Sequence, residues 1–211
     1  MFRLARVWSN QQLATFASVF TGDVVNVSAW DDRDKQGGHY KDYFVNASSY
    51  SCTNHTGYRG FQGNPNEYLL DLTGDVPENL VRRFDVVLNH TTLEHIFEVR
   101  QAFATLCELS RDVVIVVVPF AQVQHESDDY GDFWRFTPTC MRRLFEENGL
   151  TVVYEAESPH EQSAVYLLFA GARNPASWTG RLPHTARLCN SGQWIGQPLP
   201  QNRPHEGASF Q

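Results

Sequence analysis

The side chains best suited to moving protons or holding a small ligand follow two apolar runs. The first run, Phe84-Asp85-Val86-Val87-Leu88, leads at once into Asn89-His90-Thr91-Thr92 and then Leu93-Glu94-His95. The second, Val113 to Val118, is β-branched throughout, is closed by Pro119, and leads into the loop AQVQHESDDYGDFWRF. Imidazole titrates near neutral pH, so His90, His95 and His125 are the candidates for general-base work. Each could equally be a hydrogen-bonded structural histidine. Tyr130, Phe133 and Trp134 either wall a pocket by stacking on a planar ligand or plug their polar loop onto the body. Glu126, Asp128 and Asp129 either bind a cation or form a solvated acidic loop. His90 and His95 lack the i, i+4 spacing of a helical metal pair and no third ligand is evident, so no metal site is expected.

Apolar runs bounded by turn residues predict strands buried on both faces of a parallel sheet, and polar residues just past such strands sit where open α/β sheets bind ligands. The order of elements supports this. Leu13, Phe16, Val19 and Phe20 predict a helix over 9–20, with Ser9 or Asn10 as N-cap and Gly22 as its left-handed end. A first central strand is expected over 23–29, a loop over 30–39, a short helix from Tyr40 to Phe44, and strands over 49–53 and 67–72. Residues 74–80 should turn into a brief helical segment. Val99, Ala102, Phe103, Leu106 and Leu109 make one stripe of a helix over 98–110, and the strongest strand spans 112–120. Thr137 and Pro138 read as N-cap and first residue of a helix ending at Asn148-Gly149, before strands over 150–156 and 164–170. Five strand–helix alternations and two closing strands imply a sheet with helices on both faces.

Composition bounds the function. The chain has 211 residues, 42% hydrophobic and 13% aromatic, enough for one domain with a sizeable core. Its 17 basic against 24 acidic residues, a net charge of −7 and no basic block argue against nucleic acid as the main partner. No apolar run approaches the ~20 residues of a membrane span, and the N-terminus lacks the apolar core of a signal peptide. Four scattered cysteines, Cys52, Cys107, Cys140 and Cys189, fit a reduced cytoplasmic setting better than a disulfide framework. The expected division is one domain over 1–173 and an irregular tail over 174–211, strapped down by residues such as Trp178, Leu182, Trp194 and Ile195.

Three pieces in register (FDVVLNHTTLEHI, the helix leading into DVVIVVVPF, and HESDDYGDFWRFTPTCMRRLFEENGL) resemble the class I S-adenosylmethionine-dependent methyltransferases, in their small-molecule and glycan branch. The likeness runs from Asp23 to Arg173. It implies a Rossmann-like three-layer α/β/α sandwich with a mostly parallel seven-stranded sheet and an antiparallel closing strand. It also implies S-adenosylmethionine as cofactor and a small molecule or sugar as methyl acceptor. By position, Asn26, Ser28, Ala29 and Trp30 should approach the methionine end, Asn54 the ribose, Asp71 and Leu72 the adenine, and Asn89 and His90 the sulfonium. His95 and His90 would then be the catalytic candidates, and His125, Tyr130 and Trp134 the substrate-binding ones. An oligomer using the tail is compatible with this reading.

Two departures stand out. The family's acidic-x-Gly-x-Gly loop is here Asn26-Val27-Ser28-Ala29-Trp30, and its ribose-binding acid is Asn54. Glycine lets backbone approach a ligand closely, so alanine and tryptophan are expected to crowd the crevice. A non-catalytic module binding a protein partner, or a Rossmann-like enzyme of another class, stays open on these grounds.

Overall fold

The computed structural model describes residues 3–57, 59–159 and 165–183. Trp194, Ile195, Cys189 and most of the expected tail lie outside the described residues. Seven strands form one sheet: β1 (Asp23–Val27), β2 (Ser49–Asn54), β3 (Glu67–Leu69), β4 (Phe84–His90), β5 (Ser110–Ala121), β6 (Thr151–Glu157) and β7 (Val165–Ala172). Their spatial order is β3-β2-β1-β4-β5-β7-β6. The first five are mutually parallel, and β7 runs antiparallel between β5 and β6. The fold is the expected Rossmann-like sandwich.

Period-two alternation divides the core between the two faces. Val25, Val27, Val87, Val114, Val116 and Val118 pack beneath α2 (Val99–Leu109) and α3 (Pro138–Glu147), which supply Phe103, Leu106, Met141 and Phe145. Val24, Val86, Leu88, Val113, Ile115 and Val117 face the other way, under α1 (Arg3–Phe16), which supplies Leu13 and Phe16. Thr137 caps α3 as expected, its Oγ1 accepting the Cys140 N–H at 3.1 Å. Trp178 ends a 3-10 turn over Pro175–Trp178, packs on Phe20 and donates its indole N–H to Asp112 at 2.8 Å.

Three expectations are corrected. The first helix begins before Ser9, and Phe20 follows a separate 3-10 turn over Ala17–Val19. Ser9 and Asn10 are interior helical residues because buried partners claim their side chains: Ser9 bonds His90 and Asn10 donates to the Asp34 carbonyl. Gly22 is not left-handed; a Cβ there would collide with the Asp85 side chain, so close approach explains the residue. Full helices do not follow every strand: β1–β2 and β3–β4 cross through single 3-10 turns, Tyr40–Tyr43 and Glu78–Leu80, and the described part of the β2–β3 connection has no helix.

Candidate functional site

The loop leaving β1 takes the shape glycine would give it without using glycine. Ser28, Trp30 and Asp32 have φ of 58°, 51° and 60°, the left-handed region that costs an ordinary residue about 1 kcal/mol or more. Buried carboxylates hold the loop there. Asp32 accepts from Asn26 Nδ2 (2.7 Å), the Tyr50 hydroxyl (2.8 Å) and the Lys41 amide (3.0 Å). Asp34 accepts from the Gln36 and Gly38 amides at 2.7 and 3.0 Å and from the Tyr43 hydroxyl at 2.9 Å; these bonds hold its pKa low despite burial. The expected crowding does not occur. The Trp30 indole forms a wall, with the Arg59 guanidinium 4.4 Å from its ring centroid, and leaves the crevice open.

That crevice is a cavity of about 790 Å³ along the carboxyl ends of β1, β2 and β4. Asn26, Ser28, Ala29, Trp30, Asn54, Asp71, Leu72 and His90 all line it. Asp71 holds a tight turn, its Oδ1 accepting the Thr73 amide and hydroxyl, both at 2.8 Å, which lowers its pKa. Asn89 is not at this wall. It is fully buried, donates to the Val27 carbonyl at 3.0 Å and has an Oδ1 with no hydrogen-bond partner among the described residues.

His90 is positioned but not free to act as a base. Arg6 can only donate, so at 2.8 Å His90 Nδ1 accepts, leaving Nε2–H to donate to Ser9 Oγ at 2.8 Å. Burial and the Arg6 charge push its pKa well below 6.5 and keep it neutral. His95 differs. Its Nδ1 lies 2.7 Å from the Gly131 carbonyl, an acceptor only, so Nδ1 carries the hydrogen. Burial keeps this ring neutral too, so Nε2 presents a lone pair.

A second cavity of about 810 Å³ adjoins the first, and Arg6, Lys35, Arg59, Thr91, His95 and Tyr130 line both. Only the second is walled by Glu94, Gln122, His125 and Tyr166. The rings of Tyr130 and His125 stand edge-on to His95, at centroid distances of 4.7 and 4.8 Å. Trp134 is not a pocket wall: its indole donates to the Ile96 carbonyl at 3.0 Å and packs on the core. The aromatic loop therefore divides, Tyr130 walling a cavity and Trp134 plugging the loop down.

Sequence reasoning did not single out Arg6, Glu94 or Asp132 as functional. Asp132 forms a two-pronged ion pair with Arg135, both contacts at 2.6 Å, which lowers the Asp132 pKa to about 2 and braces the loop. Glu94 is fully buried, neither carboxylate oxygen is hydrogen-bonded to another of the described residues, and burial raises its pKa to about 7. A turn glutamate beside two candidate histidines was the available signal. Among the described residues no His/Cys/Asp/Glu cluster could hold a metal, and no helix is long and apolar enough to cross a membrane.

The fold is that of solved S-adenosylmethionine-dependent methyltransferases. The 1,6-didemethyltoxoflavin-N1-methyltransferase of Burkholderia thailandensis, solved with bound 1,6-didemethyltoxoflavin and S-adenosylhomocysteine, superposes with a TM-score of 0.53 at 14% identity, over 79% of this chain and 80% of that one. Magnesium protoporphyrin IX methyltransferase from Synechocystis PCC 6803, solved with S-adenosylmethionine, gives 0.52 at 11% identity, over 80% and 77%. The N-methyltransferase NodS of Bradyrhizobium japonicum, solved with S-adenosylhomocysteine, gives 0.55 at 11%, over 79% and 86%. No protein-family model matches the chain. No curated protein matches it in sequence.

Proposed function

We propose that this chain is an S-adenosylmethionine-dependent methyltransferase acting on a small molecule. One observation carries the reading: two ligand-sized cavities, of about 790 and 810 Å³, meet at a common wall on the carboxyl edge of the sheet. A transferase needs two such sites side by side, one for the group donor and one for the acceptor.

The residues of the first cavity fit the cofactor. Asp71 offers a carboxylate acceptor beside the apolar Leu70 and Leu72, suited to an adenine with its amino group, and the open wall of Trp30 leaves room for the remainder. Asn26, Ser28, Ala29, Trp30 and Asn54 would line its ribose and methionine parts, with His90 fixing the wall behind. When bound, the cofactor supplies an electrophilic methyl group on a sulfonium. The chain's own work is then chiefly positioning and water exclusion. His95, with its lone pair at the shared wall, together with Tyr130 and His125, would border the acceptor. The free Cys52, Cys107 and Cys140 support a reduced, cytoplasmic setting.

A thermal shift with S-adenosylmethionine and S-adenosylhomocysteine tests the proposal. At a hundred times the dissociation constant, binding adds about 2.7 kcal/mol of stability. Asp71→Asn, which keeps the acceptor for Thr73 but loses the charge, should weaken the shift without unfolding the turn. No shift in the native protein at millimolar ligand would remove the cofactor from this reading.

A further inference from the structure

The second cavity holds buried hydrogen-bond acceptors that the protein does not satisfy. Among the described residues neither oxygen of Glu94 has a hydrogen-bond partner from another residue, and neither does Gln122 Oε1. Both residues wall the second cavity and not the first, so they belong to the side away from the cofactor. An unpaired buried carboxyl is costly, and a group kept in that state is explained when a ligand completes it.

The charged groups around Glu94 have other commitments. Arg6 of α1 bonds Tyr40, His90 and Thr91, and Arg135 is forked to Asp132. His95 spends its hydrogen on the Gly131 carbonyl; its Nε2 lone pair stands 3.8 Å from Glu94 Oε1 and has nothing to donate. His125 on the β5 loop, Tyr166 of β7 and Lys35 of the β1 loop border the same cavity, yet none hydrogen-bonds the carboxyl. An occupant of the cavity that carries a donor would complete the carboxyl. Tyr130, His95 and His125 give the cavity an aromatic wall, which favours an aromatic and therefore planar occupant.

We propose that Glu94, together with Gln122, receives the N–H or phenolic O–H of a planar methyl acceptor, and that Glu94 takes the proton this atom gives up. This rests on the methyltransferase reading and names its substrate class. The X–H bond breaks, its hydrogen passes as a proton to a Glu94 oxygen, and the electron pair left on nitrogen or oxygen is the pair that would bind the methyl carbon, whose bond to the donor's sulfur would break with its pair staying on sulfur. A carboxyl poised at about 7 can accept such a proton. It is poorly matched to an aliphatic hydroxyl, which is nearly as hard to ionise as water itself. A carboxylate acceptor would bring like charge and no hydrogen. Sugar hydroxyls and carboxylates are therefore disfavoured as methylation sites.

The test uses ligand-observed NMR on the full chain with S-adenosylhomocysteine present. The probes are phenol and benzimidazole, compared with anisole and 1-methylbenzimidazole, which replace the donor hydrogen by methyl, and with glucose. The native protein should prefer each donor over its methylated counterpart by about tenfold, the range of one hydrogen bond to a charged group. Glu94→Met, which removes the acceptor that glutamine would keep, should erase most of that preference, and Gln122→Met part of it. Both variants should show the native thermal shift with S-adenosylhomocysteine, because neither residue lines the first cavity. Equal binding of donor and methylated probes, a preference that survives Glu94→Met, binding of glucose alone, or no donor binding would each overturn the proposal. Absence of the S-adenosylhomocysteine shift would instead sink the cofactor reading, whatever the probes do.

Discussion

Asn54 grips the backbone of Trp30 at both ends: its Oδ1 accepts the Trp30 N–H at 2.6 Å and its Nδ2 donates to the Trp30 carbonyl at 3.1 Å. The same amide donates to Glu67 Oε1 at 2.7 Å. At the position where the family resemblance expects a ribose-binding acid, the chain uses an amide to hold a left-handed loop residue in place.

An aspartate at 54 would keep one bond, lose both donors and set two carboxylates against each other. Asn54→Asp should therefore destabilise by about 2 kcal/mol or more, in the range for a broken buried polar contact. Asn54→Ala should cost about 1–3 kcal/mol. Urea denaturation reads both; an aspartate variant within about 0.5 kcal/mol of native would show that the clamp does not hold the loop.

Ser28 gives an independent measure of strain in that loop, since its φ is 58° and its side chain makes no hydrogen bond among the described residues. Glycine there relieves backbone strain but loses more entropy on folding, so Ser28→Gly should be neutral or stabilising by up to about 1 kcal/mol. Ser28→Val, β-branched in a left-handed site, should destabilise by about 1–3 kcal/mol. Equal stability of the two would contradict the assigned backbone.

The sheet was legible because its physics is local. Six β-branched residues in β5 admit little but a strand buried on both faces, and Thr137-Pro138 starts a helix in any setting. The site was less legible because its decisive contacts join distant segments. Ser9 and Asn10 look like caps until His90 and Asp34 claim them. Asn89 and His90 look equivalent after the apolar run 84–88, yet both lie in β4, where alternation turns His90 toward α1 and Asn89 away. A glutamate in a turn looks solvated; Glu94 is buried because the β5 loop folds over it, with the Phe133 and Trp134 amides donating to its carbonyl.

His90 should mark the acid side of the stability curve. Its folded pKa lies well below the reference 6.5, so below that pH the unfolded chain binds a proton that the native state refuses. Stability contributed by neutral His90 is present above pH 6.5 and lost as pH falls, by at most about 1.4 kcal/mol per pH unit. His90→Gln should be less stable at pH 7.5 by about 1–3 kcal/mol, having lost buried hydrogen bonds, but the difference from native should narrow as pH falls below 6.5. Chemical denaturation at pH 7.5, 6.5 and 5.5 checks both parts, and parallel curves would mean His90 titrates normally.

Glu94 works in the opposite direction. Its folded pKa is about 7 against a reference of 4.5, so between these values the native state keeps a proton that the unfolded chain releases. Stability therefore falls as pH rises from 4.5 to 7, by roughly 3 kcal/mol in all, and stays at the lower level above. Glu94→Gln resembles the protonated form and removes this loss. It should be more stable than native by about 1–3 kcal/mol at pH 8, with the difference closing toward pH 4.5. A glutamate serving the fold alone would behave otherwise, and Glu94→Gln would then be destabilising at every pH. In the native chain the His90 and Glu94 slopes overlap between pH 4.5 and 6.5 and offset each other, so a flat native profile should split into opposite slopes in the two variants. If Glu94→Gln runs parallel to the native curve from pH 4.5 to 8, the carboxyl is not held protonated in the fold, and its role as a proton acceptor poised near neutrality is lost with it.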